Sequence, residues 1–235
     1  MNSRLVNYQL EDSIAHVSID DGKVNVMSIA MLSALNETLD RAGRDRATVV
    51  MTGRPGVFSA GFDLPVLRAG GSEANRMVRM GFELAERMLS FPTPIVVACS
   101  GHAIAMGVFL VLAADFRIGA LGPYRIGANE VAIGITMPHF GIEICRQRLT
   151  PAYLNRAVTF SEVFGPEDAV TAGFLDKAVP AAELLPEARK TAATLAQLNM
   201  DVYAASKLRV RAPILKAIRE AIEKDDTVSQ ATRAA

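Results

Sequence analysis

Residues 98–118, "ACSGHAIAMGVFLVLAADFRI", carry no charged side chain before Asp115 and set Met106 between Ala105 and Gly107. The uncharged run around them, residues 88–114, is long enough to cross a bilayer, and the mean hydropathy of +0.22 makes the question a fair one. Punctuation argues against a membrane span. Pro92 and Pro94 precede a β-branched run, "IVVA", and Gly101 and Gly107 interrupt the apolar residues after it, so the pattern predicts a strand, a turn and a buried helix. A strand and helix this apolar meet no water on most faces, which places them at the centre of a layered α/β protein.

A chain of 235 residues fits one large domain, or one domain with a small appendage, and folding should bury roughly 70% of its extended surface. With 25 basic residues against 25 acidic ones, nonspecific attraction to nucleic acid or anionic lipid has no compositional basis. A locally basic pocket for a phosphate-bearing ligand stays open. Arg4, Glu11 and Asp12 and alternating polar residues break up any apolar core of a secretory signal, so a cytoplasmic protein is expected. Cys99 and Cys145 lie in apolar surroundings without metal-binding spacing and read as buried, reduced thiols.

Working outward from the central stretch, residues 14–20 alternate: Ala15, Val17 and Ile19 on one side, His16, Ser18 and Asp20 on the other, as in a half-buried strand. Ser28 can cap a helix whose Met31, Leu32, Leu35 and Leu39 recur at helical spacing and which ends near Gly43. An apolar strand is predicted at 47–53, then a Gly- and Pro-rich loop, a helix over about 74–89 and a strand at 95–98. The buried helix is predicted at 105–113, a strand at 115–119 and a short extended piece at 124–126. Helices come next at 142–149 and 151–160 and from Pro166, and the chain is Ala-rich and helical from about 181 onward. This suggests a core over 1–180 and a helical C-terminal region over 181–235. A doubly wound nucleotide-binding sheet is an alternative arrangement of the same elements, but neither G-x-G-x-x-G nor G-x-x-x-x-G-K is present.

Metal clusters, a G-x-S-x-G elbow and H-E-x-x-H are absent as well, and the three histidines, His16, His102 and His139, are scattered. His102 and His139 are open as pocket residues. Two Gly-rich bends that lead into helices are more informative. "FSAGFDL", residues 58–64, offers the amides of Gly61, Phe62 and Asp63, and "AMGVF", residues 105–109, those of Met106 and Gly107. Amides at such bends can stabilise a developing oxyanion, each well-placed donor being worth ~3 kcal/mol in the transition state.

"GRPGVFSAGFDL" (53–64), "FPTPIVVACSGHAIAMGVFLVLAADFRI" (91–118), "YRIGANEVAIGITMP" (124–138) and "PEDAVTAGFLDKAVP" (166–180), in unbroken order, resemble the enoyl-CoA hydratase/isomerase, or crotonase, superfamily. The resemblance implies an α/β fold, a spiral of β-β-α repeats with a helical C-terminal trimerisation region, assembled as a homotrimer or hexamer. It implies acyl-CoA thioester substrates, with no separate cofactor and no metal. The backbone amides of Phe62 and Met106 would then hold the thioester oxygen. Hydratases of the superfamily use two glutamates; here the first position is Phe109 and the second is Glu130. One carboxylate suffices for a proton shuttle, whereas water addition would need another polar anchor.

The same resemblance points to coenzyme A along Val24, Val26, Ala60 and Asp63, and to Lys207 beside its phosphates. It makes Phe109, Ile133, Pro138 and Phe140 acyl-pocket walls, or simply core, and assigns structural hydrogen bonding to Asp63 and Asp115. The expected reaction is conversion of a 3-enoyl-CoA into the 2-trans-enoyl-CoA through Glu130, within fatty-acid or related acyl-CoA metabolism. The alternatives are a 2-enoyl-CoA hydratase, with His139 or a bound water standing in for the missing acid, and a non-turnover acyl-CoA binding or assembly subunit.

Overall fold

A computed structural model of the chain describes the backbone of residues 5–234 and the side chains through residue 226. The N-terminal hairpin pairs β1 (Val6–Glu11) with β2 (Ile14–Ile19) across a turn in which Asp12 and Ser13 take positive φ. Ala15, Val17 and Ile19 face the core, so the period-2 pattern gives the observed face. Ser28 Oγ accepts a bond from the Met31 amide and starts α1 (Ile29–Arg44), whose Met31, Leu32, Leu35 and Leu39 are fully buried. Next come β3 (Thr48–Thr52), β4 (Gly56–Ser59), α2 (Leu64–Ala69) and α3 (Gly71–Ser90). They are followed by β5 (Ile95–Cys99), β6 (Gly101–Ile104), α4 (Met106–Ala113), β7 (Phe116–Ala120) and β8 (Ile126–Gly127). The remaining helices are α5 (His139–Arg146), α6 (Pro151–Val158), α7 (Pro166–Ala172), α8 (Leu184–Ala196) and α9 (Met200–Ala234), with β9 (Lys177–Val179) between α7 and α8.

Two sheets result, in the order β1-β2-β3-β5-β7-β9 and β4-β6-β8. Apart from the hairpin all pairings are parallel. β3, β5 and β7 each turn into a short strand of the second sheet, β4, β6 and β8, before a helix brings the chain back, and the repeat advances as a spiral. Buried side chains of α1, α3 and α4 share one apolar core with Ala15, Val17, Val49, Met51, Ile95 and Val97 of the larger sheet. The other face is covered by α8, whose Leu184, Ala188 and Ala192 pack with Val50, Val96 and Ile118. A boundary at residue 180 thus falls between two layers of one core. The long α9 lies along α3 and α5 of its own chain. No helix among the described residues is long and apolar enough to cross a membrane, and Cys99 and Cys145 are buried free thiols.

Several boundaries differ from the sequence-based expectations. The segment expected to be one loop after residue 53 contains β4, and residues 68–76, ahead of the helix expected over 74–89, already belong to α2 and α3 apart from Gly70 between them. The helix expected from 142 starts at His139 because Asp225, on α9, supplies its N-terminal cap. One Asp225 oxygen accepts from the His139 amide at 2.9 Å and the other from the Phe140 amide at 3.0 Å.

Candidate active site

Two bends converge where β4 and β6 end. After β4, Ser59 Oγ donates to the Asn25 carbonyl at 2.7 Å and accepts from the Gly61 amide at 3.1 Å. The Met27 amide donates to the Gly61 carbonyl at 2.8 Å. Gly61 has φ +93°, and a Cβ placed there would lie 2.9 Å from Ala105 Cβ and 3.3 Å from the Met106 nitrogen, so glycine alone permits both the turn and the approach. After β6, Ala105 turns the chain into α4 with φ 51° and ψ −126°, a conformation that non-glycine residues rarely adopt. The Phe62 and Met106 amides leave these touching bends with no hydrogen-bond acceptor among the described residues, an arrangement able to receive an oxyanion. The Met106 side chain is fully buried and turns toward α3.

Beside the bends lies an apolar cavity of about 240 Å³, whose walls include Ala60, Phe62, Phe82, Phe109, Ile133 and Pro138. Two polar side chains enter it, Asn129 and Glu130. Glu130 is 6% exposed, and burial pushes its pKa from 4.5 up to about 7 against a weaker opposing backbone hydrogen bond. Neither Glu130 Oε2 nor Asn129 Oδ1 has a partner among the described residues, which is costly in an apolar wall unless a ligand answers them. Larger hollows of about 490 and 410 Å³ lie on the surface; two of the arginines lining them are already paired, Arg87 with Asp40 and Arg219 with Glu86.

The structure sorts the residues expected at the site. It brings together Phe62, Met106, Ala60, Phe109, Glu130, Ile133 and Pro138. Val24 and Val26 flank the same loop, the Val24 carbonyl accepting from the Ala60 amide at 3.0 Å, and Asp63 caps α2. Phe140 requires correction: it does not line the cavity but sits fully buried behind it, stacked on Phe82 at 4.1 Å and edge-on to Phe109 at 5.8 Å.

Lys207 is also corrected. Its ammonium group bonds Asp115 at 2.8 Å inside the protein, with only 4% of the side chain exposed, because Asp115 also takes Arg211 at 2.9 Å and the Ile95 amide at 2.8 Å. In this position it cannot reach a phosphate in solvent. His102 accepts from the Arg125 amide and His139 pairs with Asp225; neither lines the cavity.

Sequence reasoning passed over Phe82, Val78 and Asn129. The first two sit at helical spacing with other apolar residues and look like core, whereas Asn129, next to a carboxylate in "ANEVAIG", carried a usable signal. No group of metal-ligating side chains occurs among the described residues.

Residues 9–235 match the family model described as enoyl-CoA hydratase/isomerase. The fold superposes on an enoyl-CoA hydratase/isomerase family protein from Pseudomonas syringae with a TM-score of 0.93 and 48% identity, over 94% of this chain and 96% of that one. Against an enoyl-CoA isomerase from Mycobacterium tuberculosis the TM-score is 0.92, with 45% identity over 95% and 98% of the two chains. A probable enoyl-CoA hydratase of Rhodobacter capsulatus is 29% identical over 209 residues, 88% of this chain and 81% of that protein. Against mycobacterial proteins named probable enoyl-CoA hydratase, the matched part spans 52–65% of their length.

Proposed function

This chain belongs to the enoyl-CoA hydratase/isomerase family, and from that premise we propose that it moves a carbon–carbon double bond of an acyl-CoA thioester, converting a 3-enoyl-CoA into the 2-trans-enoyl-CoA. One observation carries this choice. Glu130 is the one ionisable side chain in the cavity wall among the described residues, and the wall includes Phe109 where a hydratase of this family would place its first glutamate.

The reaction is built from those parts. Ionised Glu130 takes a proton from C2, and the electron pair left behind delocalises through the C3–C4 double bond and onto the thioester oxygen. The amides of Phe62 and Met106 hold that oxyanion. Protonated Glu130 then returns the proton to C4, the C2–C3 double bond forms, and no atom is gained or lost. A carboxyl with a pKa of about 7 suits both halves of the transfer, since it takes and releases a proton near neutrality at similar cost. The apolar walls exclude the water that would quench the dienolate.

A hydratase reading has a specific observation in its favour: Asn129 Oδ1, buried and unpaired beside Glu130, is a polar anchor for water. Spectrophotometric assay of the purified protein on 3-enoyl-CoA and 2-enoyl-CoA separates the readings. Isomerisation of the first is expected, with Glu130→Gln slowing it by about 10²–10⁴-fold. Activity confined to hydration of the second, or full activity of the variant, refutes the proposal, and thioester binding without turnover identifies a binding subunit. We also propose a homotrimer or hexamer, supported by apolar side chains left exposed along α8 and α9, among them Leu185, Val202 and Val210; light scattering measures the mass.

A further inference from the structure

Gly81 lies in the middle of the 20-residue helix α3 and is buried. Glycine is the least favourable helix-interior residue after proline, so a reason for it has to come from outside the helix. A Cβ at position 81 would lie 2.6 Å from two atoms of the Phe62 ring and 3.3 Å from Met106 Sδ. The two side chains that meet at this missing methyl group belong to the two residues whose amides are left without an acceptor among the described residues at the touching bends.

Each is held there from other sides as well. The Phe62 ring meets Phe82 edge-on at 6.1 Å, and Met106 is fully buried. Their backbones touch through Gly61 and Ala105, so neither bend can move without pressing on the other.

We infer that Gly81 is a positioning residue: its bare backbone on α3 seats the Phe62 ring and the Met106 thioether together, and thereby sets the spacing of the two amide donors that polarise the thioester carbonyl. Any side chain there moves the Phe62 ring by about 1 Å, the distance from 2.6 Å to ordinary van der Waals contact. The displacement reaches the amide through one rigid aromatic residue, and misplacement on this scale costs about 100-fold in rate. The inference rests on the oxyanion role given to the two amides above.

The test is Gly81→Ala, alone and with Phe62→Leu, which removes the outer ring atoms and keeps the amide. For G81A, kcat for 3-enoyl-CoA isomerisation should fall about 100-fold with KM changed less than threefold, whereas in the F62L background the same change should cost little, so that F62L/G81A recovers most of the activity of F62L. A second readout is independent of the reaction: the carbonyl stretching frequency of bound hexanoyl-CoA should shift toward its solution value in G81A and return in the double variant.

If the wild type polarises the bound carbonyl but isomerises nothing, the isomerase reading fails while the positioning role is still decided by the G81A spectrum. If G81A does not fold, the F62L/G81A pair decides alone, a folded and active protein supporting the inference. An unchanged kcat and carbonyl frequency in folded G81A, or a folded double variant with no recovery, overturns it.

Discussion

Replacing Glu130 by Gln is expected to make the fold more stable in alkaline solution while it removes the proton carrier. Burial raises the Glu130 pKa from 4.5 to about 7, so the folded state holds this proton more tightly than the unfolded chain does. Between those two values the native protein carries more protons than the unfolded one, and stability falls as pH rises. The contribution of the protonated carboxyl is therefore complete below pH 4.5 and lost as pH climbs through about 7. A shift of this size corresponds to about 3.5 kcal/mol over its full pH span, at about 1.4 kcal/mol per pH unit. Glutamine does not titrate and escapes the loss.

Urea unfolding of wild type and E130Q at pH 5, 6, 7 and 8, at one protein concentration, measures the difference directly. Any packing or hydrogen-bond change in the variant offsets all four points equally, and titrations elsewhere cancel between the two proteins. The slope is the test: E130Q should gain about 2.5 kcal/mol on wild type from pH 5 to pH 8, most of it between pH 5 and pH 7. A difference that does not vary with pH would show that the carboxyl is not held in an apolar wall, and the proton-shuttle chemistry would lose its basis.

The same burial predicts that kcat/KM rises through an apparent pKa near 7, because the free enzyme must present ionised Glu130; a flat profile from pH 6 to 8 contradicts this. Ala105→Gly should raise stability by about 1 kcal/mol by relieving the backbone at φ 51° and ψ −126°, seen as a higher Tm, and an unchanged or lower Tm counts against strain there. Lys207→Met should cost about 3 kcal/mol by breaking a buried ion pair, with KM for the CoA thioester unchanged; a raised KM on a folded variant would return Lys207 to the ligand.

How much could be read in advance depended on how local the cause was. The alternation of residues 14–19 and the Ser28 cap are each decided within a few residues of chain, and β2 and α1 form accordingly. By contrast β4 and β6 span four residues each, too few for periodicity to register, and their partners are brought in by the spiral. The start of α5 was three residues early for a similar reason, its cap coming from Asp225 on another helix. At the site, the Gly-rich bends and a carboxylate among aliphatic residues were visible signals. The role of Phe140 as a backing for Phe109 was not, nor was the pairing of Lys207 with Asp115, since pattern cannot tell a buried charge from an exposed one.

The cap that Asp225 places on α5 also orders events during synthesis. His139 and Phe140 leave the ribosome well before the carboxylate that ties down their amides, which comes 86 residues after His139. Until then the first turn of α5, and Pro138 just ahead of it in the cavity wall, lack the partner that fixes them. The nascent chain can thus bury its sheet and inner helices with the binding wall unfinished, and the wall is completed only when α9 emerges and folds back.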